Sequence, residues 1–504
     1  MAHLEVHTQA VLVQLHATLA PIKRLPPEIL AEIFEHCLDV PNDVRGCMHV
    51  AVTRARSRAA PLLLGRVCRA WCVVAHGGPR LWRDVCVNVC EGRYSDALHR
   101  DALLVLQTWL ARSGSLPLRL VVLCKTERVL PGLVDLFETI GTHAVRWRTV
   151  HVRLQNAPVI YRLVCRALSR CTALSTLDVT DGGQRMSFFS VRQGLRDVQV
   201  EDMQQSVQFD LSLAPVHELA LSLAGLTIQD VHVRWGTLTR LSFMQDARAS
   251  TSSLSDYMAI LQHCTLLQEC GLVIDSGMGD APLEPLTLPN LACLVLQVLQ
   301  GGGSSTAQTG TFLSVLHGPR LCTLSIEDYC PRHEAVLYHG LLEAFLRAHA
   351  GSLRRLRFST SSKSFTSEDM VGLIVETPLL TELEYRPDEA SSPRELLEAL
   401  TPRVQTDGVA CLLVCLERLF VYWDMTEMVS MVGDMIERRY ALAERVIAQL
   451  KHLSCKPVKL ITAYDCVPPF MVVENLAVRL ESLCRCGLQV DWEAYRYDLE
   501  FAYC

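Results

Sequence analysis

No stretch of this 504-residue chain approaches the ~18 consecutive apolar residues that a membrane-spanning helix needs. The best run, CLLVCL at 411–416, is strand-length. The first residues, MAHLEVHTQAVLVQLHATLA, lack a basic stretch ahead of the apolar one and lack a cleavage site, so they do not read as a secretory signal. An excess of basic charge is missing too. The formal net charge is −6, and nothing in it points to nucleic acid or to a membrane surface. Cysteine is plentiful, at 21 residues, but close C-x2-C pairs are absent. Cys68/Cys72 and Cys86/Cys90 are too widely spaced and Cys484/Cys486 too closely spaced to put two thiolates on one ion in that way. With no route out of the cell the thiols are expected to be reduced, acting as small apolar core residues, with no metal and no cofactor.

Catalytic signatures are also missing. His333-Glu334 with His339 fails the H-E-x-x-H spacing, which needs the second histidine four residues after the first, on the same helix face. GGGSST at 301–306 has no lysine for a phosphate loop, and neither G-x-S-x-G nor a strand-linked G-x-G-x-x-G occurs. The expectation is a protein that is not an enzyme and has no catalytic residues. What the chain has in quantity is apolar sequence: 50% hydrophobic against 20% charged residues, the composition of a folded chain.

That apolar sequence is patterned. Residues 4–19 carry apolar side chains at roughly helical spacing, so 1–21 read as a leading helix. In IKRLPPEILAEIFEHCLD (22–39), Pro26 and Pro27 suit a helix start, and Glu28 complements the dipole in the first turn. Ile29, Leu30, Ile33, Phe34 and Cys37 then form one broad apolar face. In PLLLGRVCRAWCVVAHGGPRLWRDVCV (61–87), Leu63, Leu64, Val67, Cys68, Trp71 and Val74 again share a helical face. His76-Gly77-Gly78-Pro79 stops that helix, and Leu81-Trp82 open a third element. Three short helices cannot bury so much among themselves, and the surplus marks a partner surface.

These segments, LPPEILAEIF, PLLLGRVCRAW and PRLW in that order, resemble the F-box, particularly that of fungal F-box-like proteins. The resemblance implies a three-helix fold over 22–90 that binds a Skp-family adaptor and, through it, a cullin-based ubiquitin ligase. Carried over residue by residue, it assigns adaptor contacts to Leu25, Pro26, Ile29, Leu30, Ile33 and Phe34, to Leu64, Val67, Cys68 and Trp71, and to Leu81 and Trp82. Residues 40–60 depart from the pattern as an inserted loop. Its Arg54, Arg56 and Arg58 read either as a solvated loop or as an import or phosphate-binding patch.

Past residue 115 a six-residue theme with apolar first, fourth and sixth positions recurs. It reads LSTLDV (174–179), LRDVQV (195–200), VHELAL (216–221), LTRLSF (238–243), LACLVL (291–296), LCTLSI (321–326), LRRLRF (353–358), LTELEY (380–385) and LERLFV (416–421). WRTVHV (147–152) and LQECGL (267–272) are weaker copies, and WLARSGSLPLRLVVL (109–123) reads as the first strand of the series. Starts recur roughly every 21 to 36 residues, in and somewhat beyond the leucine-rich-repeat range. The expected fold class is therefore α/β: an F-box followed, over 91–425, by an irregular leucine-rich-repeat-like solenoid with parallel strands inside and helices outside. Terminal repeats or a cap should occupy 426–504, with strands at VKLITA and GLQVDW. Gly182, Met203, Ala224 and Leu299 stand where an asparagine ladder would run, so none is expected, while Cys171 and Cys264 resemble a cysteine of F-box-linked repeats.

Residues flanking the inward positions should face outward: Asp178, Gln199, Ser242, Arg355, Arg357, Glu382, Glu384, Arg418, Phe420 and Tyr422. The C-terminal members, Arg355, Arg357, Glu384, Arg418, Phe420 and Tyr422, are the candidate target-binding residues, with Phe420 and Tyr422 either exposed anchors or packed under the C-terminal helices. The expected function is a substrate-recruiting subunit of a Skp–cullin–F-box ligase, cytoplasmic or nuclear. The alternative is an interaction scaffold with an F-box fold but no ligase role.

Overall fold

Two prolines set the start of the first described helix. In a computed structural model of the protein, Pro26 is the N-cap and Pro27 the first residue of α1 (Pro27–His36), which buries Leu30 and Phe34 on one side. The structure describes residues 25–38, 48–49, 61–90, 96–125, 131–155, 158–181, 209–222, 228–244, 253–274, 284–298, 305–328, 336–360, 365–387, 392–405, 408–423, 428–442, 450–457, 479–481, 483–485 and 488–491. The leading helix, Arg54, Arg56 and Arg58, the copy at 195–200 with Gln199, and VKLITA lie outside these residues. The chain divides into two units, Met1–Pro215 and Val216–Cys504.

In the first unit, the single helix expected across 61–76 is broken. Leu64–Arg66 form one 3-10 turn, Cys68 is extended at φ −159°, and α2 (Arg69–Gly77) begins after it. The break places Leu64 in the core and brings the Trp71 ring to 4.9 Å from Phe34 on α1, so tertiary packing overrides the local helical pattern. The expected third helix is a second 3-10 turn, Pro79–Trp82, since the extended Gly78 and Pro79 prevent continuation of α2.

Five parallel strands follow in sequence order: β1 (Met48–His49), β2 (Asp84–Cys90), β3 (Leu118–Lys125), β4 (Trp147–Gln155) and β5 (Thr176–Asp181). Helices α3 (Asp96–Arg112), α4 (Pro131–Gly141) and α5 (Pro158–Leu168) alternate with them and pack one on the next. The strand series thus starts earlier than the sequence suggested. Within 109–123 the first residues belong to α3, which ends through Gly114 at φ +58°, a left-handed conformation that glycine adopts without a Cβ clash.

The second unit continues the plan. Its strands are β6 (Glu218–Ser222), β7 (Arg240–Met244), β8 (Glu269–Ile274), β9 (Cys293–Val298), β10 (Thr323–Asp328), β11 (Arg355–Thr360), β12 (Glu382–Arg386), β13 (Arg418–Trp423), β14 (His452–Pro457) and β15 (Gln489–Asp491). Each pairs in parallel with the next. The connecting helices are α6 (Leu254–Leu261), α7 (Ser305–Val315), α8 (Val336–Ala348), α9 (Ser367–Val375), α10 (Arg394–Leu400) and α11 (Met428–Leu442), with α7 to α11 packed in succession. Thr366 and Asp369 close a reciprocal capping box at the start of α9.

The first, fourth and sixth residues of every described copy are buried, from Leu174, Leu177 and Val179 to Leu416, Leu419 and Val421. Register explains why. Leu219, Leu241, Cys270, Leu294, Leu324, Leu356, Leu383 and Leu419 are successive Cα partners, so each fourth position stacks directly on the next. The interval between β12 and β13 holds α10 and a hairpin of Arg403–Gln405 with Gly408–Ala410. The buried Arg439 of α11 fastens this excursion by donating to the carbonyls of Leu400, Leu412 and Leu413.

Another polar group is enclosed beside α8. His349 Nδ1 lies 2.8 Å from the Phe345 carbonyl, and the Gly318 amide donates to Nε2 at 3.3 Å, so the ring is neutral with its proton on Nδ1. Burial, and then the nearby His317, push its pKa below the ordinary 6.5. Protonation would set an N–H against the Gly318 N–H. The neutral form belongs to the folded state, so its stabilisation is present above the unfolded pKa and is lost as pH falls. The stability difference between wild type and His349→Ala should therefore shrink as pH drops from about 7.5 to about 5, read by urea unfolding. A difference that does not change with pH would contradict this assignment.

Candidate functional site

Helix α1 carries two apolar stripes. Leu30 and Phe34, four residues apart, are buried at 5% and 0% exposure. Pro26, Ile29 and Ile33 lie on another face and are exposed, Ile29 at 43% and Ile33 at 38%. Val67 is more exposed still at 57%, and Leu25, Cys68 and Trp71 are half-buried. Leu64, Leu81 and Trp82 are buried. The residues singled out from sequence for adaptor contact thus fall into an interior set, Leu30, Phe34, Leu64, Leu81 and Trp82, and a set open to solvent. Leu63 and Val73, exposed at 47% and 67%, join the open set without having been singled out. Their signal was present as apolar residues beside the chosen ones, but periodicity alone did not distinguish the two faces.

Trp82 is the centre of the interior set. Its Nε1 donates to the Ala75 carbonyl at 2.8 Å, Trp109 meets it edge-on at 4.6 Å, and the Arg112 guanidinium covers it at 4.4 Å. Helix α3 therefore completes the packing of the N-terminal module.

In the second unit, the solvent side of β11–β15 carries most of the residues singled out for target contact. Arg355, Glu382, Arg418, His452 and Gln489 are successive Cα partners in one row, and Arg357, Glu384 and Phe420 form the next. Glu382, only 5% exposed in its side chain, is shared by three arginines: Arg357 at 3.1 Å, Arg355 at 3.6 Å and Arg418 at 3.7 Å. Arg357 also reaches Glu384 at 3.4 Å. Phe420 is half-buried and lies against the His452 ring at 5.1 Å. The side chain of Tyr422 lies outside the described residues. Arg418, Phe420, Lys451, His452 and Gln489 line a depression of about 450 Å³. Lys451 and His452 were missed because a strand was expected at VKLITA, whereas β14 is His452–Pro457, on the copy LKHLSC with Leu450 and Leu453 buried; Gln489 lies in the expected GLQVDW strand but was not singled out.

Elsewhere, Asp178 approaches His151 at 3.4 Å, and Ser242 is half-buried. Cys171 and Cys264 are buried, and burial pushes both thiols up to about 12. They are core residues with little thiolate character. Among the described residues no three histidine, cysteine or acidic side chains cluster as metal ligands, and no helix is long and apolar enough to cross a membrane.

Residues 22–88 match the model of the F-box-like family. A search of curated proteins finds no match to the chain. The N-terminal module is thus an F-box-like domain followed by a mixed α/β region rich in parallel strands, and a role in protein interaction follows from it.

Proposed function

We propose that this F-box protein recruits a protein target to a Skp–cullin–F-box ubiquitin ligase. F-box domains generally bind Skp-type adaptors. The observation that carries the reading is the second apolar stripe of α1. Pro26, Ile29 and Ile33 stand in solvent although the same helix already has a buried face, and they sit inside the segment that matches the family. Apolar side chains repeated at helical spacing and left uncovered are what a partner helix needs to dock.

The strand region acts as a leucine-rich-repeat-like solenoid that presents the solvent row of β11–β15 to the target. The protein itself is not an enzyme. It works inside the cell by holding target lysines beside a ubiquitin-charged enzyme, raising their effective concentration.

The test is co-expression with a Skp-family adaptor and a cullin, then ubiquitination of proteins that co-purify. Conjugates that depend on both the adaptor and this chain are the expected result. Adaptor binding without any conjugate would instead favour a scaffold with no ligase role. A folded chain that ignores the adaptor would remove the proposal altogether.

A further inference from the structure

The row of charges on β11–β15 is oversubscribed. Arg355, Glu382 and Arg418 are neighbours across three strands, which puts the two arginines ~10 Å apart on either side of one carboxylate. Glu382 accepts a hydrogen bond from a third arginine, Arg357. Arg418 is left with an ion pair at 3.7 Å, and its side chain is 56% exposed. A guanidinium carries five donors in a planar fork matched to a carboxylate. Here that fork lies at the edge of the depression lined by Arg418, Phe420, Lys451, His452 and Gln489.

No acidic side chain is among those lining residues. Lys451 is paired with Glu417 at 2.8 Å, whereas Arg418 shares a carboxylate with two other cations. Phe420 with the His452 ring against it supplies an apolar wall, and Gln489 an amide. A volume of about 450 Å³ holds one or two side chains, not a folded surface.

We infer that this depression binds a short acidic segment of the recruited protein, with an aspartate or glutamate carboxylate on Arg418 and a neighbouring apolar side chain against Phe420. The inference rests on the reading of this face as the target surface. It goes further by naming what the face selects: an acid beside an apolar residue, on the one guanidinium that borders the depression.

The experiment uses the full chain, immobilised and incubated with a positional library of short blocked peptides that includes phosphoserine. Wild type should enrich aspartate or glutamate about tenfold at one position, with an aliphatic or aromatic residue next to it. Arg418→Gln should lose that preference, and Arg418→Glu should turn it towards lysine or arginine. Because Arg418 is exposed, circular dichroism should be unchanged in both. No acidic enrichment in wild type, or the same enrichment in both variants, overturns the inference. Enrichment of phosphoserine without aspartate or glutamate also overturns it, in favour of a phosphate site. The recruitment reading is judged separately through adaptor binding and conjugate formation. A chain that recruits but shows no acidic preference loses only this inference, and one that selects acidic peptides but ignores the adaptor loses only the ligase role.

Discussion

Ile29→Glu with Ile33→Glu should abolish co-purification with a Skp-family adaptor while the chain stays folded. Both side chains are already in solvent, so replacing them removes little core packing. In a complex the same positions would bury two carboxylates against apolar partner surface, which is costly without paired cations. Anchors of this kind are worth about 2 kcal/mol or more each, so the pair should weaken binding by about a thousandfold. The comparison variant is Glu32→Lys on the same helix, exposed but polar, which should leave affinity within a few-fold. Retention of full adaptor binding by the double variant, with unchanged circular dichroism, would place the adaptor surface elsewhere.

Trp82→Ala should have the opposite signature: a fold lost before any surface is altered. The ring is 1% exposed and is held by Ala75, Trp109 and Arg112. Truncating a buried tryptophan costs about 3–5 kcal/mol, and here the edge-on ring pair and the cation–π contact go with it. Domains are stable by only about 5–15 kcal/mol, so the N-terminal module should be partly unfolded near physiological temperature. Trp109→Ala should act in the same direction, although Trp109 lies outside the 22–88 segment that matches the family, because α3 covers the Trp82 ring. Hydrogen exchange in α1 and α2 is the readout. If protection there survived Trp82→Ala intact, the ring would not be the keystone described here.

The two experiments separate residues that the sequence presents alike. Ile29 and Leu30 are adjacent, equally apolar and on the same predicted helix, and the F-box resemblance assigns both to adaptor contact. Position along the chain gives no reason to treat them differently. The structure does: Leu30 is buried in the core, and Ile29 faces water. The same holds for Leu63 and Leu64. The helix expected over 61–76 failed for a related reason. Its apolar spacing was real, but the spacing also fits a turn, an extended Cys68 and a second helix, and the contact between Phe34 and Trp71 selects that arrangement.

The strand region was far more legible. Leu324 and Ile326, or Leu383 and Tyr385, are buried because side chains in a strand alternate with period two, and each strand pairs with its neighbour in sequence. Such burial is local: a copy needs only the copies before and after it, so six residues suffice to announce it. The sequence by itself therefore determined the buried positions of each described copy, the parallel order of the strands and the helix start at Pro26-Pro27. Only the tertiary structure decided which stripe of α1 stays in solvent, that Glu382 holds three arginines, and that Arg418 borders a depression with Phe420, Lys451, His452 and Gln489. Those outcomes depend on residues brought together from different copies. Hydrophobicity along the chain reports what a side chain prefers, while the neighbours that satisfy or withhold that preference exist only after the chain has folded.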